Sequence, residues 1–87
     1  MKRLKLLMSP QAEEDLAYWE HHDVAIANRV RLLLNNLEQG HRFPAHYATQ
    51  LKFRELSLLS LKIATEHRLV VEPIGEQFIV HQCRFHY

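Results

Sequence analysis

The order of predicted elements, βααββββ, favours an α+β fold in which a helical hairpin packs on one face of a largely antiparallel sheet. Two observations support this prediction. Residues 9–40 contain two apolar repeats of helical period with few residues between them, which predicts two antiparallel helices. From residue 50 onward the pattern changes to short apolar stretches separated by turn residues, which is typical of strands. We expect residues 1–87 to form a single domain with a modest core.

The first half of the chain predicts one strand and two helices. Residues 4–8 form a short apolar strand, and Ser9 before Pro10 signals a helix start, because a serine hydroxyl caps free amides and proline suits the first helical position. Three acidic residues near the start of this helix, Glu13, Glu14 and Asp15, are favoured by the helix dipole. Asp23 caps the second helix, which stops at Gly40. The predicted buried faces consist of Ala12, Leu16 and Trp19 in the first helix, and Ile26, Val30, Leu33 and Leu37 in the second.

The second half predicts a loop followed by four strands. Residues 41–49 have no clear period and are predicted to cross to the sheet. A turn at residues 73–75, Pro-Ile-Gly, joins the last two strands. If these strands pair through that turn, Arg68 lies roughly opposite residues 80–82. The strands are predicted at about 50–56, 58–65, 67–73 and 76–85.

Composition restricts the class of protein only weakly. The formal net charge of +1 does not by itself indicate a nucleic-acid partner, although the C-terminal half carries more basic than acidic side chains. Cys83 is the single cysteine, so no internal disulfide can form, which fits a reducing cytoplasm. No stretch is long enough to span a membrane, and we expect no membrane partner.

The seven histidines do not form a recognisable metal motif. No His-Glu-x-x-His sequence and no cysteine pair is present, so we predict neither a metal nor another cofactor. His21 and His22 are explained by the favourable charge interaction at a helix C-terminus. Cys83 has no activating motif around it, and we expect a buried apolar thiol.

The segment 84–87, Arg-Phe-His-Tyr, is the most informative part of the sequence. It continues an apolar run at residues 78–80 without a linker, and if the strand continues, Arg84 and His86 share one face. Cations with a histidine suit RNA cleavage by transesterification, in which a base removes the 2′-proton and an acid protonates the leaving oxygen. On these residues alone, the alternative is an ordinary surface strand pair of mixed charge. The residues that could take part in such a cleavage are Lys62, Glu66, Arg68, Arg84, His86 and Tyr87.

Two segments resemble the YoeB/Txe toxins of the RelE superfamily. Residues 65–70 read Thr-Glu-His-Arg-Leu-Val, and residues 83–87 read Cys-Arg-Phe-His-Tyr. The family carries Glu-His-Arg-Leu-Val about twenty residues before a final Cys-Arg-aromatic-His-Tyr. The helix start at residues 9–10 and the strand start at residues 51–52 are similar as well, so the resemblance covers nearly the whole chain.

The resemblance implies a RelE-like fold and a cytoplasmic toxin that is encoded with an antitoxin. Such a protein cleaves mRNA in the ribosomal A site without a metal, so its expected partners are a cognate antitoxin, the ribosome and mRNA. It also implies a homodimer or a toxin–antitoxin hetero-oligomer. By position, Arg68 would contact the scissile phosphate, His86 would act as general acid, and Tyr87 would help to orient the site. The expected substrate-binding residues are Lys62, which would share phosphate stabilisation, Arg84 and Lys52.

The sequence departs from the family at three positions. Thr49 stands where the family has a glutamate that serves as general base, and a hydroxyl has no accessible basic form at neutral pH. Leu59 and Leu61 replace a tryptophan and an arginine. Three explanations remain open: another base, slower catalysis without one, or a protein that keeps the fold and the antitoxin contact but does not cleave. The alternative bases are His46, Glu55 and Glu66.

Overall fold

A computed structural model describes residues 4–41, 43, 48–53 and 56–85. It confirms the predicted α+β fold, because a helical hairpin packs on a five-stranded sheet whose strand order is β1-β5-β4-β3-β2. β1 pairs with β5 in parallel, and the other neighbours pair antiparallel. The elements are β1 (Lys5–Met8), α1 (Pro10–His22), α2 (Val24–Glu38), β2 (Ala48–Phe53), β3 (Leu56–Ala64), β4 (His67–Ile74) and β5 (Gln77–Gln82).

The helical hairpin is defined by its capping residues. The Ser9 hydroxyl accepts the Ala12 amide at 3.1 Å, as the sequence predicts. Asp23 acts on both helices: its amide donates to the Trp19 carbonyl at 2.8 Å, and its carboxylate caps α2. Only Asp23 separates the two helices, which pack against each other as the predicted hairpin. Gly40, with φ +77°, lies just beyond the C-terminal end of α2.

The core lies between the two helices and one face of β3, β4 and β5. The predicted helix faces are largely confirmed, although Leu16 and Ile26 are only partly buried and Ala27 is fully buried instead. Full burial of one large aliphatic side chain contributes about 1.5–3 kcal/mol, so this layer supplies most of the stability. The buried core consists of Ala12, Trp19, Ala27, Val30, Leu33 and Leu37 from the helices and Leu61, Ile63, Leu69, Val71, Val80 and Cys83 from the rest of the chain.

The opposite face of the sheet carries polar and charged side chains together with the buried Leu58 and Val70. Lys62 lies between two core residues of β3, so strand alternation directs it away from the helices. It is paired with Arg68 of β4, and Thr49 of β2 is paired with Ser60, two residues before Lys62. We call this surface, defined by Thr49, Ser60, Lys62 and Arg68, the second face.

Two of the predicted boundaries between elements are wrong. β2 begins at Ala48, inside the predicted loop 41–49, because its first residues pair with Leu61 and Ser60 of β3, a tertiary interaction that their own sequence does not reveal. The last turn is formed by Gly75 and Glu76 rather than by residues 73–75. Gly75 adopts φ +59°, which glycine accommodates without the steric cost of a side chain.

The predicted register of Arg68 is also wrong. Val71 pairs with Val80 but Val70 pairs with Gln82, so β5 contains one extra residue at a bulge. Together with the later turn, this shift carries the Arg68 amide past residues 80–82 to the carbonyl of Phe85, at 2.7 Å. A bulge leaves no clear trace in the apolar pattern of the sequence.

Asp15 has a role that its position in the sequence does not indicate. Its side chain is 4% exposed, and its Oδ2 atom accepts the amide of Cys83 at 3.1 Å. Its Oδ1 atom accepts the side-chain amide of Gln11 at 2.8 Å. The carboxylate therefore links the start of α1 to the segment that follows β5.

We expect Asp15→Ala to lower the free energy of unfolding by about 1–3 kcal/mol, because it leaves a buried amide without an acceptor. Asp15→Asn retains one of the two acceptor oxygens and should cost less. The matched control is Glu14→Ala, an exposed neighbour that should change stability by less than about 0.5 kcal/mol. Urea denaturation followed by circular dichroism measures all three, and equal stabilities of the two alanine variants would contradict this role of Asp15.

Candidate active site

Two cations lie directly opposite each other on the second face. Lys62 is exposed and Arg68 is half-buried, and the two form a cross-strand pair between β3 and β4. Like charges in such a pair are destabilising. Neither side chain forms an ion pair with another residue that the structure describes. This arrangement suits a bound anion, whose charge would offset the repulsion.

Arg68 is anchored on the turn between β3 and β4. Its Nη1 atom donates to the carbonyls of Ala64 at 2.8 Å and His67 at 3.0 Å, with a longer contact to Thr65 at 3.4 Å. Its side-chain hydrogen bonds to other described residues all use Nη1. A guanidinium has five N–H donors, so the rest of the planar fork can present a second edge to an anion.

The strand register also places the positions where the sequence departs from the resembled family. Thr49 is exposed and lies diagonal to Lys62 on the second face. Leu61 is fully buried under the helices, and Leu59 packs against the same core. Two of the three departures therefore fall on the helix-covered face, and Thr49 alone of the three faces the cation pair.

Lys52 is not brought together with the cation pair. It pairs with Ser57, which lies on the same side of β3 as Leu59 and Leu61. Lys52 is exposed on the edge strand β2, so it is accessible to a partner. Its side chain leaves the sheet on the face opposite Lys62.

The segment 83–85 leaves the sheet and is clamped by α1 and β4. The Trp19 indole N–H donates to the Cys83 carbonyl at 2.7 Å, beside the bond from the Cys83 amide to Asp15. The amide of Phe85 donates to Nδ1 of His67 at 2.8 Å. The prediction that the last strand runs to residue 85 is therefore wrong, because β5 ends at Gln82 and residues 83–85 form bends.

The Arg84 guanidinium contacts two aromatic rings. Its guanidinium carbon is 3.4 Å from the ring centroid of Tyr18 on α1 and 4.5 Å from that of Phe85. Such stacking is worth about 0.5–1 kcal/mol at an exposed site. Because strand geometry ends before Arg84, the alternation argument that placed it on one face with His86 does not apply.

Cys83 is a structural thiol. Burial, and to a lesser extent the neighbouring Asp15 carboxylate, raises the pKa of this thiol to about 12. It therefore stays protonated at neutral pH, and its Sγ atom donates to the Ala12 carbonyl at 3.6 Å. These features agree with the expected inert, buried cysteine.

Several predicted residues lie outside the part of the chain that the structure describes: His86, Tyr87, His46 and Glu55. Glu66 is described, and it is exposed in the turn on which Arg68 is anchored. Because the turn interrupts the alternation of side chains along the strand, that alternation does not place Glu66 and Arg68 on one face. The described residues contain no group of three or more His, Cys, Asp or Glu side chains that could hold a metal ion.

Sequence reasoning missed the residues that hold segment 83–85. Asp15, Trp19 and His67 are separated from it by 18 to 68 positions along the chain, so no local pattern joins them. The one available signal was a charged residue inside the apolar repeat of α1, since Asp15 lies one position from the predicted face at Leu16. No helix in the described ranges is long and apolar enough to cross a membrane.

A helical hairpin packed on a five-stranded, mostly antiparallel sheet is the fold of the RelE/YoeB-like toxins. A model of the YoeB-like toxins of bacterial type II toxin–antitoxin systems matches residues 8–87, so the chain belongs to this family. It is therefore a YoeB-type toxin of a toxin–antitoxin system, as its C-terminal motifs suggested.

Individual relatives agree with this assignment. Toxin YoeB of Escherichia coli K12 is 26% identical over 84 residues, which cover 97% of this chain and 100% of that protein. A YoeB dimer from Staphylococcus aureus superposes with a TM-score of 0.82 at 27% identity, covering 98% of this chain and 99% of that one. A heterotetrameric YoeB–YefM toxin–antitoxin complex from the same organism gives 0.79 at 28% identity, with the same coverages.

Proposed function

We propose that this toxin is a ribosome-dependent endoribonuclease that cleaves mRNA in the A site, without a metal ion, and thereby blocks translation. The observation that carries the proposal is the Lys62–Arg68 cation pair, which lacks an anionic partner among the described residues. The strand that carries Arg68 is hydrogen-bonded to the segment that precedes His86 in the sequence, because the Arg68 amide donates to the Phe85 carbonyl. Membership of a family of endoribonuclease-type toxins supports it further.

The cation pair stabilises the reacting phosphate. The outer edge of the Arg68 fork holds two phosphate oxygens, and the Lys62 ammonium offsets the charge that develops in the pentacoordinate phosphorane. The ribose 2′-oxygen attacks phosphorus after losing its proton to a base. The P–O5′ bond breaks, and His86 protonates the departing 5′-oxygen, which leaves a 2′,3′-cyclic phosphate and a 5′-hydroxyl. Tyr87 helps to orient this site.

The base is the incomplete part of this mechanism. Thr49 occupies the second face diagonal to Lys62, where a glutamate carboxylate would reach toward the bound phosphate, but it offers only a hydroxyl. Glu66, in the turn beside the Arg68 anchor, is one substitute, and His46 and Glu55 are the others. We expect weak cleavage by the wild type, sustained by the cations and the acid.

Arg84 and Lys52 contribute to RNA binding at some distance from the reacting phosphate. The Arg84 guanidinium contacts the rings of Tyr18 and Phe85, but its N–H donors lie in the guanidinium plane and can still bind a phosphate. Lys52 projects from the other face of the edge strand and would contact RNA or the ribosome there. Neither residue is needed for the chemical step.

The toxin acts in the cytoplasm and is inhibited by a cognate antitoxin. The YoeB–YefM complex from Staphylococcus aureus supports such a partner. An anionic antitoxin segment that folds on binding would neutralise Lys62 and Arg68 and so block access to phosphate. The assembly is either a homodimer or a toxin–antitoxin hetero-oligomer. Thr49 favours a second candidate function, a non-catalytic toxin of the RelE/ParE superfamily that binds an antitoxin or another target.

We expect His86→Ala to lower single-turnover cleavage by roughly 10²–10⁴-fold, because it removes the proton donor for the leaving oxygen. Primer extension on 70S ribosomes programmed with mRNA measures this rate. Unchanged cleavage by the variant would remove His86 from the mechanism. If the wild type produces no cleavage at all, the non-catalytic candidate takes precedence.

We expect Arg68→Lys to reduce the same rate by about 10²–10³-fold, close to the effect of Arg68→Ala, because an ammonium cannot hold two phosphate oxygens in one plane. Stability should change by about 1 kcal/mol, since the Arg68 hydrogen bonds are part-buried or exposed and the lysine ammonium can donate to the same carbonyls. Arg31→Lys is the matched control, because Arg31 is exposed on α2 and pairs with Glu20. Near-normal cleavage by Arg68→Lys would mean that this arginine only stabilises the turn.

We expect Thr49→Glu to increase the wild-type cleavage rate by about tenfold or more, because it places a carboxylate base on the second face diagonal to Lys62. Gln50→Glu is the control: it adds the same charge one residue later, on the opposite face. A gain with both variants would indicate a general charge effect. No gain with Thr49→Glu, together with loss of activity in Glu66→Gln, would assign the base to Glu66.

A further inference from the structure

Phe85 has a backbone conformation that residues other than glycine rarely adopt. Its φ is +66°, and it is the single non-glycine residue with positive φ in the described ranges. The left-handed region brings Cβ close to the backbone, so a phenylalanine there needs support from its surroundings.

The support comes from two consecutive residues at the start of β4. Nδ1 of His67 accepts the Phe85 amide at 2.8 Å, and the Arg68 amide donates to the Phe85 carbonyl at 2.7 Å. Both polar groups of the Phe85 backbone are therefore hydrogen-bonded to the first two residues of β4. A displacement of Phe85 would break one or both of these hydrogen bonds.

The His67 ring is itself held in one orientation. Its centroid lies 4.7 Å from the Trp19 ring in an edge-to-face arrangement of 81°, and Trp19 is fixed by its hydrogen bond to the Cys83 carbonyl. Phe85 covers the ring from another side, with centroids 5.9 Å apart. A hydrogen bond accepted by Nδ1 requires the tautomer whose ring hydrogen lies on Nε2.

We propose that His67 is a positioning residue: its Nδ1 atom fixes the left-handed turn at Phe85 against the start of β4, next to Arg68, and RNA cleavage depends on that turn. This inference rests on the proposed function, because the geometry of the turn affects a rate only if the residues joined to it act in cleavage. Reactions of this kind tolerate little misplacement of the acid, and a shift of about 1 Å can cost roughly 10²-fold. The contribution of His67 is to geometry, and it touches neither substrate nor the reacting atoms.

Two substitutions separate the acceptor from the ring. His67→Phe keeps an aromatic ring against Trp19 but deletes the acceptor. His67→Asn keeps an acceptor oxygen close to the position of Nδ1 but deletes the ring. If the acceptor positions Phe85, the Asn variant should behave more like the wild type than the Phe variant does, whereas a packing role predicts the reverse.

The first measurement needs no ribosome. Amide hydrogen exchange of Phe85, followed by NMR, should be roughly tenfold faster in His67→Phe than in the wild type and close to the wild-type rate in His67→Asn. The nitrogen chemical shifts of His67 in the wild-type protein should report the Nε2–H tautomer. An Nδ1–H tautomer, or equal exchange rates in the wild type and the Phe variant, would overturn the proposal, and the tautomer test holds even if a variant does not fold.

The second measurement is single-turnover cleavage on programmed ribosomes. We expect His67→Phe to lower the rate constant by about 10–10²-fold with little change in apparent ribosome affinity, and His67→Asn to recover most of that loss. His21→Phe, at the exposed end of α1, is the control and should change neither measurement. An active Phe variant beside an inactive Asn variant would overturn the proposal in favour of ring packing.

The two measurements distinguish a failure of this inference from a failure of the proposed function. If the wild type does not cleave RNA, the proposed function fails and the positioning role fails with it. In that case the exchange data still establish whether His67 anchors Phe85. If the wild type cleaves and only the His67 variants behave contrary to expectation, the positioning role fails and the proposed function stands.

Discussion

The attachment of segment 83–85 to α1 is the constraint on which the rest of the structure depends. The buried Asp15 carboxylate and the Trp19 indole bind the amide and the carbonyl of Cys83, so one peptide is held from both sides. Any buried polar group that lost its partner here would cost about 1–3 kcal/mol, which makes the attachment specific as well as stabilising. It ties the first helix to the end of the last strand and fixes the direction in which the chain leaves the sheet.

The pair formed by Lys62 and Arg68, in contrast, lowers the stability of the fold. Lys62 and Arg68 face each other across two strands, where like charges reduce stability. In the proposed mechanism, the same proximity would let a single phosphate meet both positive charges. Arg68 is kept in place by carbonyls of its own turn, so its orientation does not depend on an anion. A preorganised cation of this kind would lose little free energy to reorganisation when charge develops in the proposed transition state.

Much of the fold could be predicted because its signals are local. Ser9 and Asp23 start the helices as expected, and the apolar periods of both helices face the core with small deviations. The errors concern pairing: the start of β2, the bulge in β5 and the position opposite Arg68 depend on contacts between distant segments. The bulge mattered most, since one extra residue shifts every later partner along the strand.

For the candidate site, the sequence by itself determined the residue types and the family, because the motifs around Arg68 and at residues 83–87 are contiguous and specific. It also revealed that Thr49 stands where a base is expected. Only the tertiary structure decided that Lys62 and Arg68 form one pair, that Lys52 lies on the other face, and that Arg84 stacks on Tyr18. The physical reason is that hydrogen-bond register and strand termination are set by packing across the whole sheet, which no short stretch of sequence encodes.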